Sequence, residues 1–196
     1  MSVIGLTGGF GTGKTTVAKM FVRLGARTVD VDSIAHALTR PQKPLWKRYL
    51  KLFGKNILQK NKELNRKKIA QIVFSNRTRL KQLVLISHPL ILATMQKQIR
   101  ILQKKSGKPI VVDLPLLFED HLEKQFETII VVFASQKKVM VRVQKTRPMT
   151  RAEIRKRIQS QKPLSQKRKK ADFVINNNNG LQRTFSKVKT VYTQLP

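Results

Sequence analysis

Residues Gly5–Thr16 read GLTGGFGTGKTT, and this stretch decides the fold. It holds five of the nine glycines, with Lys14 behind the last of them. Gly8, four further residues, then Gly13, Lys14 and Thr15 match G-x-x-x-x-G-K-[ST], the pattern of a phosphate-binding loop. Glycine permits the backbone conformations that turn several N–H groups toward one anion. The apolar run Ser2–Leu6 before the loop reads as a buried strand. After it, Val17, Ala18, Phe21, Val22 and Leu24 recur at helical spacing, and Gly25 is placed to end the helix. A loop entering a helix N-terminus puts amides and the positive end of the dipole at one point. The expected nucleotide contacts are Gly9, Gly11, Thr12, Gly13, Lys14, Thr15 and Thr16. Lys14 is expected near the β- and γ-phosphates, and the Thr15 hydroxyl on Mg²⁺. The ligand this predicts is a nucleoside triphosphate with magnesium.

Outward from the loop, Arg27–Asp32 reads as a second strand, and Ser33 as the cap of a short helix through Thr39 that Pro41 stops. Leu45–Lys105 has helical periodicity throughout, with Pro89 expected to bend or end a helix. Lys108–Pro115, Glu127–Phe133 and Asp172–Asn176 read as three more strands. Between the last two lie helices rich in Arg and Lys. Asn176–Gly180 reads as a turn and the tail from Leu181 as a terminal helix. Strands alternating with helices predict an α/β fold, a doubly wound five-stranded parallel sheet.

Composition narrows the possibilities. A chain of 196 residues, 40% of them hydrophobic, suits one domain with a small added subdomain. No apolar run approaches the roughly 18 residues that span a bilayer. The N-terminus lacks the pattern of a signal peptide, so a cytoplasmic location is expected, with no membrane partner. There is no cysteine, which excludes disulfides and thiolate metal sites. The three histidines, His36, His88 and His121, lack metal-ligand spacing. The 41 Lys and Arg against 10 Asp and Glu give a net charge of +31. Nonspecific polyanion binding follows from such a charge, and a lysine-biased solvated surface produces it equally well. Few aromatics interleave the basic runs, so no specific nucleic-acid recognition is expected.

In a chain so poor in acids, each aspartate is a candidate for a specific task. Asp32 is expected at the carboxyl end of the second strand, beside the phosphate loop, where ligands bind in such sheets. There it can orient an acceptor hydroxyl and take its proton; capping the next helix is the alternative. Asp30 points to the other strand face and reads as structural. Asp113 interrupts an apolar strand and can hold a magnesium-bound water, the phosphate loop or a nearby arginine. Arg142, Arg147, Arg155 and Arg157 follow the fourth strand, and Arg142 is the choice for neutralising a transferred phosphoryl group.

Together GLTGGFGTGKTTVAKMF, LGARTVDVDSIAH, LNRKKIAQIVF, HPLI, VVDLPLLFE, RIQSQ and ADFVINNNNG resemble the dephospho-coenzyme A kinases, in order and spacing, from Ile4 to Gly180. The resemblance implies transfer of the ATP γ-phosphate to the ribose 3′-hydroxyl of dephospho-CoA, the last step of coenzyme A synthesis. It implies ATP and Mg²⁺ as cofactors and dephospho-CoA as the substrate partner. It implies a core of residues 1–44, 106–142 and 162–196, a helical CoA-binding region 45–105 and a lid 143–161. Asp32 matches the proposed general base and Arg142 an arginine on the helix entering the lid. Lys14 and Thr15 match the phosphate and magnesium residues, and Arg66, His88 and Pro89 fall to the substrate. The chain departs from the family pattern at His36 (usually Arg), Asn65 (usually Asp), Val139 (usually Gln) and Thr146 (usually Arg). A nucleoside or nucleotide kinase of the same architecture, and a nucleic-acid-binding protein with a phosphate loop, are the competing readings.

Overall fold

The computed structural model describes residues 2–105 and 107–196. They form two compact units, one of Met1–Asp30 with Ile101–Pro196 and one of Val31–Arg100.

The first unit is built on five parallel strands: β1 (Val3–Gly8), β2 (Arg27–Asp30), β3 (Ile110–Asp113), β4 (Thr128–Phe133) and β5 (Phe173–Asn176), in the order β2-β3-β1-β4-β5. This is the expected doubly wound sheet. The runs IVVD and TIIVVF carry almost no alternation because parallel strands are covered on both faces. Ile4, Leu6, Val111, Ile130, Val132 and Ile175 pack under α1 (Lys14–Arg23) and the terminal helix α9 (Leu181–Thr193). Phe21 is fully buried there, against Tyr192. Gly5 alternates to the opposite face, where a Cβ would stand 2.5 Å from Leu117. Helices α6 (Gln136–Thr146), α7 (Arg151–Gln159) and α8 (Leu164–Lys169) complete the unit. Ala134, Val139, Val143 and Ile154 form a second small core, with Phe10 and Ile158 against it. The order of the strands puts a switch point at β1, whose neighbours are β3 and β4. Ligand crevices form at the carboxyl ends of strands there.

The second unit is helical: α2 (Val31–Leu38), α3 (Pro44–Phe53), α4 (Arg66–Ser75) and most of α5 (Arg77–Lys105). Its core is Trp46, Ile57, Leu64, Ile69 and Val73, and the Trp46 indole N–H donates to the Lys62 carbonyl at 2.8 Å. Two expectations need correction here. The second strand stops at Asp30, and the chain enters α2 at once, since Val31 and Ile34 supply a buried helical face. Ser33 therefore lies inside the helix rather than capping it. Pro89 does not end a helix, because α5 continues through it. Proline removes one main-chain donor. The side chains of α3 tie down this turn: Arg48 donates to the Ile86 carbonyl at 3.1 Å and the Tyr49 hydroxyl meets Ser87 Oγ at 2.9 Å.

Burial pushes the Tyr49 phenol above its ordinary value of about 10, while the Ser87 hydrogen bond and the Arg66 charge act the other way. The unfolded chain therefore ionises first. The stability this contributes is present below pH 10 and lost as the pH rises above it. Denaturant titrations at pH 9 and pH 11 are expected to show a larger loss in wild type than in Tyr49→Phe.

Candidate functional site

The loop between β1 and α1 has the geometry of an anion cradle. Gly11 and Gly13 sit at φ of 72° and 89°, in the left-handed region that a Cβ disfavours. Gly13 has a second reason to be glycine: a Cβ there would lie 2.2 Å from the Asn177 amide nitrogen. No side chain caps α1, so its N-terminus is open to an anion. Thr12 is buried and its hydroxyl donates to the Gly9 carbonyl at 2.9 Å, closing the loop on itself. Thr15 is exposed and Thr16 half-buried.

The Lys14 ammonium is paired with the carboxylate of Asp113, which is buried at the carboxyl end of β3. Strand register explains the meeting, since Asp113 stands beside Leu6 of β1. Among the alternatives open for Asp113, the contact is with the phosphate loop. Asp32 is placed differently from the expectation: it lies in the first turn of α2, exposed, two residues past the end of β2. It belongs to the helical unit, whereas the loop, Asp113 and Arg142 belong to the sheet unit.

Arg142, on α6, reaches the loop directly. It donates to the Thr12 carbonyl at 3.3 Å and to the Asn177 carbonyl at 3.1 Å. The buried Asn177 side chain donates to the same Thr12 carbonyl at 2.8 Å and accepts from Thr184 at 2.9 Å. Asn177 stands in a run that spells a turn, so no local pattern singles it out. Its signal was position: a polar residue directly after an apolar strand, at the ligand edge of the sheet. Arg147 and Arg157 lie 5.3 and 5.4 Å from the centre of the Phe10 ring, and the Phe10 N–H donates to Gln161 at 2.9 Å. Arg155 is exposed. A cavity of about 360 Å³ beside the loop is lined by Phe10, Phe133, Val139, Gln161 and Leu164, among others.

Behind the loop, Glu119 receives the fully buried Lys167 ammonium at 2.8 Å and the Lys162 N–H at 2.8 Å. Lys167 also approaches the Pro115 carbonyl, to which the Thr7 hydroxyl of β1 donates at 3.2 Å. The segment after β3 is thereby fastened to both β1 and α8.

In the helical unit, Arg66 donates to Thr39 Oγ1 at 2.8 Å and lines a polar pocket of about 190 Å³ with His36, Arg40 and Glu63. His88 is half-buried and Pro89 exposed, both within α5. Among the described residues no group of three or more His, Cys, Asp or Glu is placed to hold a metal, and no helix is long and apolar enough to cross a membrane.

The family model for dephospho-CoA kinase matches residues 2–183. The chain belongs to the dephospho-CoA kinase family. A Bacillus cereus dephospho-CoA kinase is 36% identical over 96% of this chain and 94% of its own length. A solved Thermus thermophilus structure is 28% identical with a TM-score of 0.87, covering 100% of this chain and 98% of that one. The dephospho-CoA kinase of Campylobacter jejuni, also 28% identical, gives a TM-score of 0.73 over 98% and 96%. Membership in this family of P-loop kinases brings ATP as phosphate donor. Three of the four departures from the family pattern have a local setting, and nothing in the structure explains His36. Asn65 caps α4 by accepting from the Lys68 N–H at 3.0 Å, a task asparagine and aspartate perform alike. Val139 packs in the α6–α7 core, and Thr146 bonds back to the Arg142 carbonyl at 3.0 Å.

Gly13→Ala is expected to abolish nucleotide binding, read by calorimetric titration with ATP, because the new methyl strikes Asn177 and forces a strained φ. Removing one member of a buried ion pair costs about 3–5 kcal/mol. Lys167→Met is expected within that range, because it leaves the Glu119 carboxylate, whose Oε2 is buried without a hydrogen-bond partner, without its counter-charge. Adding Glu119→Gln is expected to recover most of that loss in denaturant unfolding, since no uncompensated charge then remains.

Proposed function

We propose that the protein transfers the γ-phosphoryl group of ATP to the ribose 3′-hydroxyl of dephospho-CoA, giving coenzyme A and ADP. Family membership over nearly the whole chain carries the reading, and the anion cradle with its lysine supports it. The ATP phosphates bind along Gly9, Gly11, Thr12, Gly13, Lys14, Thr15 and Thr16. Lys14 leaves Asp113 for the β- and γ-phosphate oxygens, where charge spreads during transfer. Thr15, and Asp113 through water, would hold Mg²⁺. The residues fit that ion, because magnesium in kinases needs only one or two protein ligands beside substrate oxygens and waters. When bound, it neutralises charge on the phosphates.

Asp32 is the general base: an exposed carboxylate, free of a burial constraint, two residues along the chain from the end of β2. It orients the 3′-hydroxyl and takes its proton as the oxygen attacks the γ-phosphorus. Arg142 adds positive charge at the loop. Arg66, His88 and Pro89 bind dephospho-CoA, and the polar pocket of His36, Arg40 and Arg66 suits its pyrophosphate. Residues 45–105 form the CoA-binding region and 143–161 the lid, which shields the transfer from water.

Dephospho-CoA is expected to stimulate ADP formation, with a new ribose 3′-phosphomonoester in the phosphorus NMR spectrum. Phosphorylation of nucleosides with none of dephospho-CoA would contradict the proposal. Asp32→Asn is expected to lower kcat at least about a hundredfold, the scale of lost base catalysis, with KM for ATP unchanged. Full activity in that variant would return Asp32 to a helix-terminal role.

A further inference from the structure

A nucleotide-binding loop needs its N–H groups aimed inward, and something must hold the matching carbonyls outward. Peptide groups are planar and, among the described residues, none is cis. In a trans peptide the C=O and the following N–H point to opposite sides. Fixing the Thr12 carbonyl therefore fixes the direction of the Gly13 N–H. Two donors converge on that carbonyl: Asn177 Nδ2 at 2.8 Å and Arg142 at 3.3 Å. The shorter contact comes from a side chain that is itself 97% buried and held at every polar atom. Its Oδ1 accepts from Thr184, its main-chain N–H donates to the Phe133 carbonyl at 2.7 Å, and its carbonyl accepts from Arg142. An asparagine so fully committed has one orientation. Gly13 must lack a Cβ for the Asn177 amide to come this near, so the two residues specify each other.

We propose that Asn177 is a positioning residue for ATP: by gripping the Thr12 carbonyl from behind, it aims the Gly13 N–H at the triphosphate. The inference rests on the loop being the nucleotide site, but not on the identity of the acceptor. Asn177 touches no reacting atom and acts through the loop. Its loss frees the Thr12–Gly13 peptide to rotate, and Arg142 alone holds the carbonyl at the longer distance.

The test is calorimetric titration of the whole protein with ATP and, separately, inorganic tripolyphosphate, with no acceptor present. A hydrogen bond to a charged group corresponds to roughly ten- to a hundredfold in affinity. With Arg142 still in place, Asn177→Ala is expected to weaken both anions about tenfold. In turnover assays KM for ATP rises by a similar factor, while KM for the acceptor stays within about twofold. Val188→Ala, a cavity in the α9 core away from the loop, serves as the destabilised control and keeps wild-type anion affinity. Should Asn177→Ala fail to fold, Asn177→Ser carries the same expectation. The inference is overturned if the folded Asn177 variant binds both anions as tightly as wild type, or if Val188→Ala weakens them equally. Because binding is read without an acceptor, a failure of dephospho-CoA phosphorylation would leave this result standing, and the reverse holds too.

Discussion

Main-chain amides gather round an anion only when the chain is bent so that a side chain would not fit and the carbonyls are held elsewhere. The rest of this molecule is arranged about that constraint. The sheet supplies a rigid edge from which the loop springs. Glycines at 11 and 13 permit the bend, and α1 brings a helix dipole to the same point. The carbonyl side of the loop is held by residues far along the chain, Arg142 from α6 and Asn177 from the end of β5. The aromatic ring at position 10 is gripped by the α6–α7 layer. A loop rich in glycine would otherwise be mobile, so these contacts supply the order that the glycines give up.

The scarcity of acids sharpens their roles. At least six of the ten are tied to specific partners: Asp113 to Lys14, Glu119 to Lys167, Glu123 to Lys170, Glu127 to the Val3 N–H, Glu153 to the Thr150 cap and Asp172 to the Ile129 N–H. Each lies at a strand end, a helix end or a buried lysine, where an anion or acceptor is needed. The excess of Lys and Arg lies mostly on exposed positions, while Lys167 and Lys14, which do not, are each met by an acid.

Most of the sheet was legible because its strands are short apolar runs bounded by glycine, proline and charge, and the loop because its spacing is dictated by phosphate geometry. What escaped depended on contacts across the chain. The strand at Arg27–Asp32 reads two residues too long, because Val31 is equally at home in a strand and on a buried helical face. Pro89 looks like a helix end, but Arg48 and Tyr49 brace the turn it weakens from another helix. Asn177 looks like one asparagine of four; only folding brings it to Thr12. For Asp113, the apolar setting called for a partner, and the strand register, absent from any local pattern, selects Lys14.

A crystal structure with a non-hydrolysable ATP analogue tests the central claim most directly. The account predicts the triphosphate along the amides of residues 11–15, with the Lys14 ammonium transferred from Asp113 to the β- and γ-phosphate oxygens. A triphosphate bound elsewhere, with Lys14 still on Asp113, would contradict it.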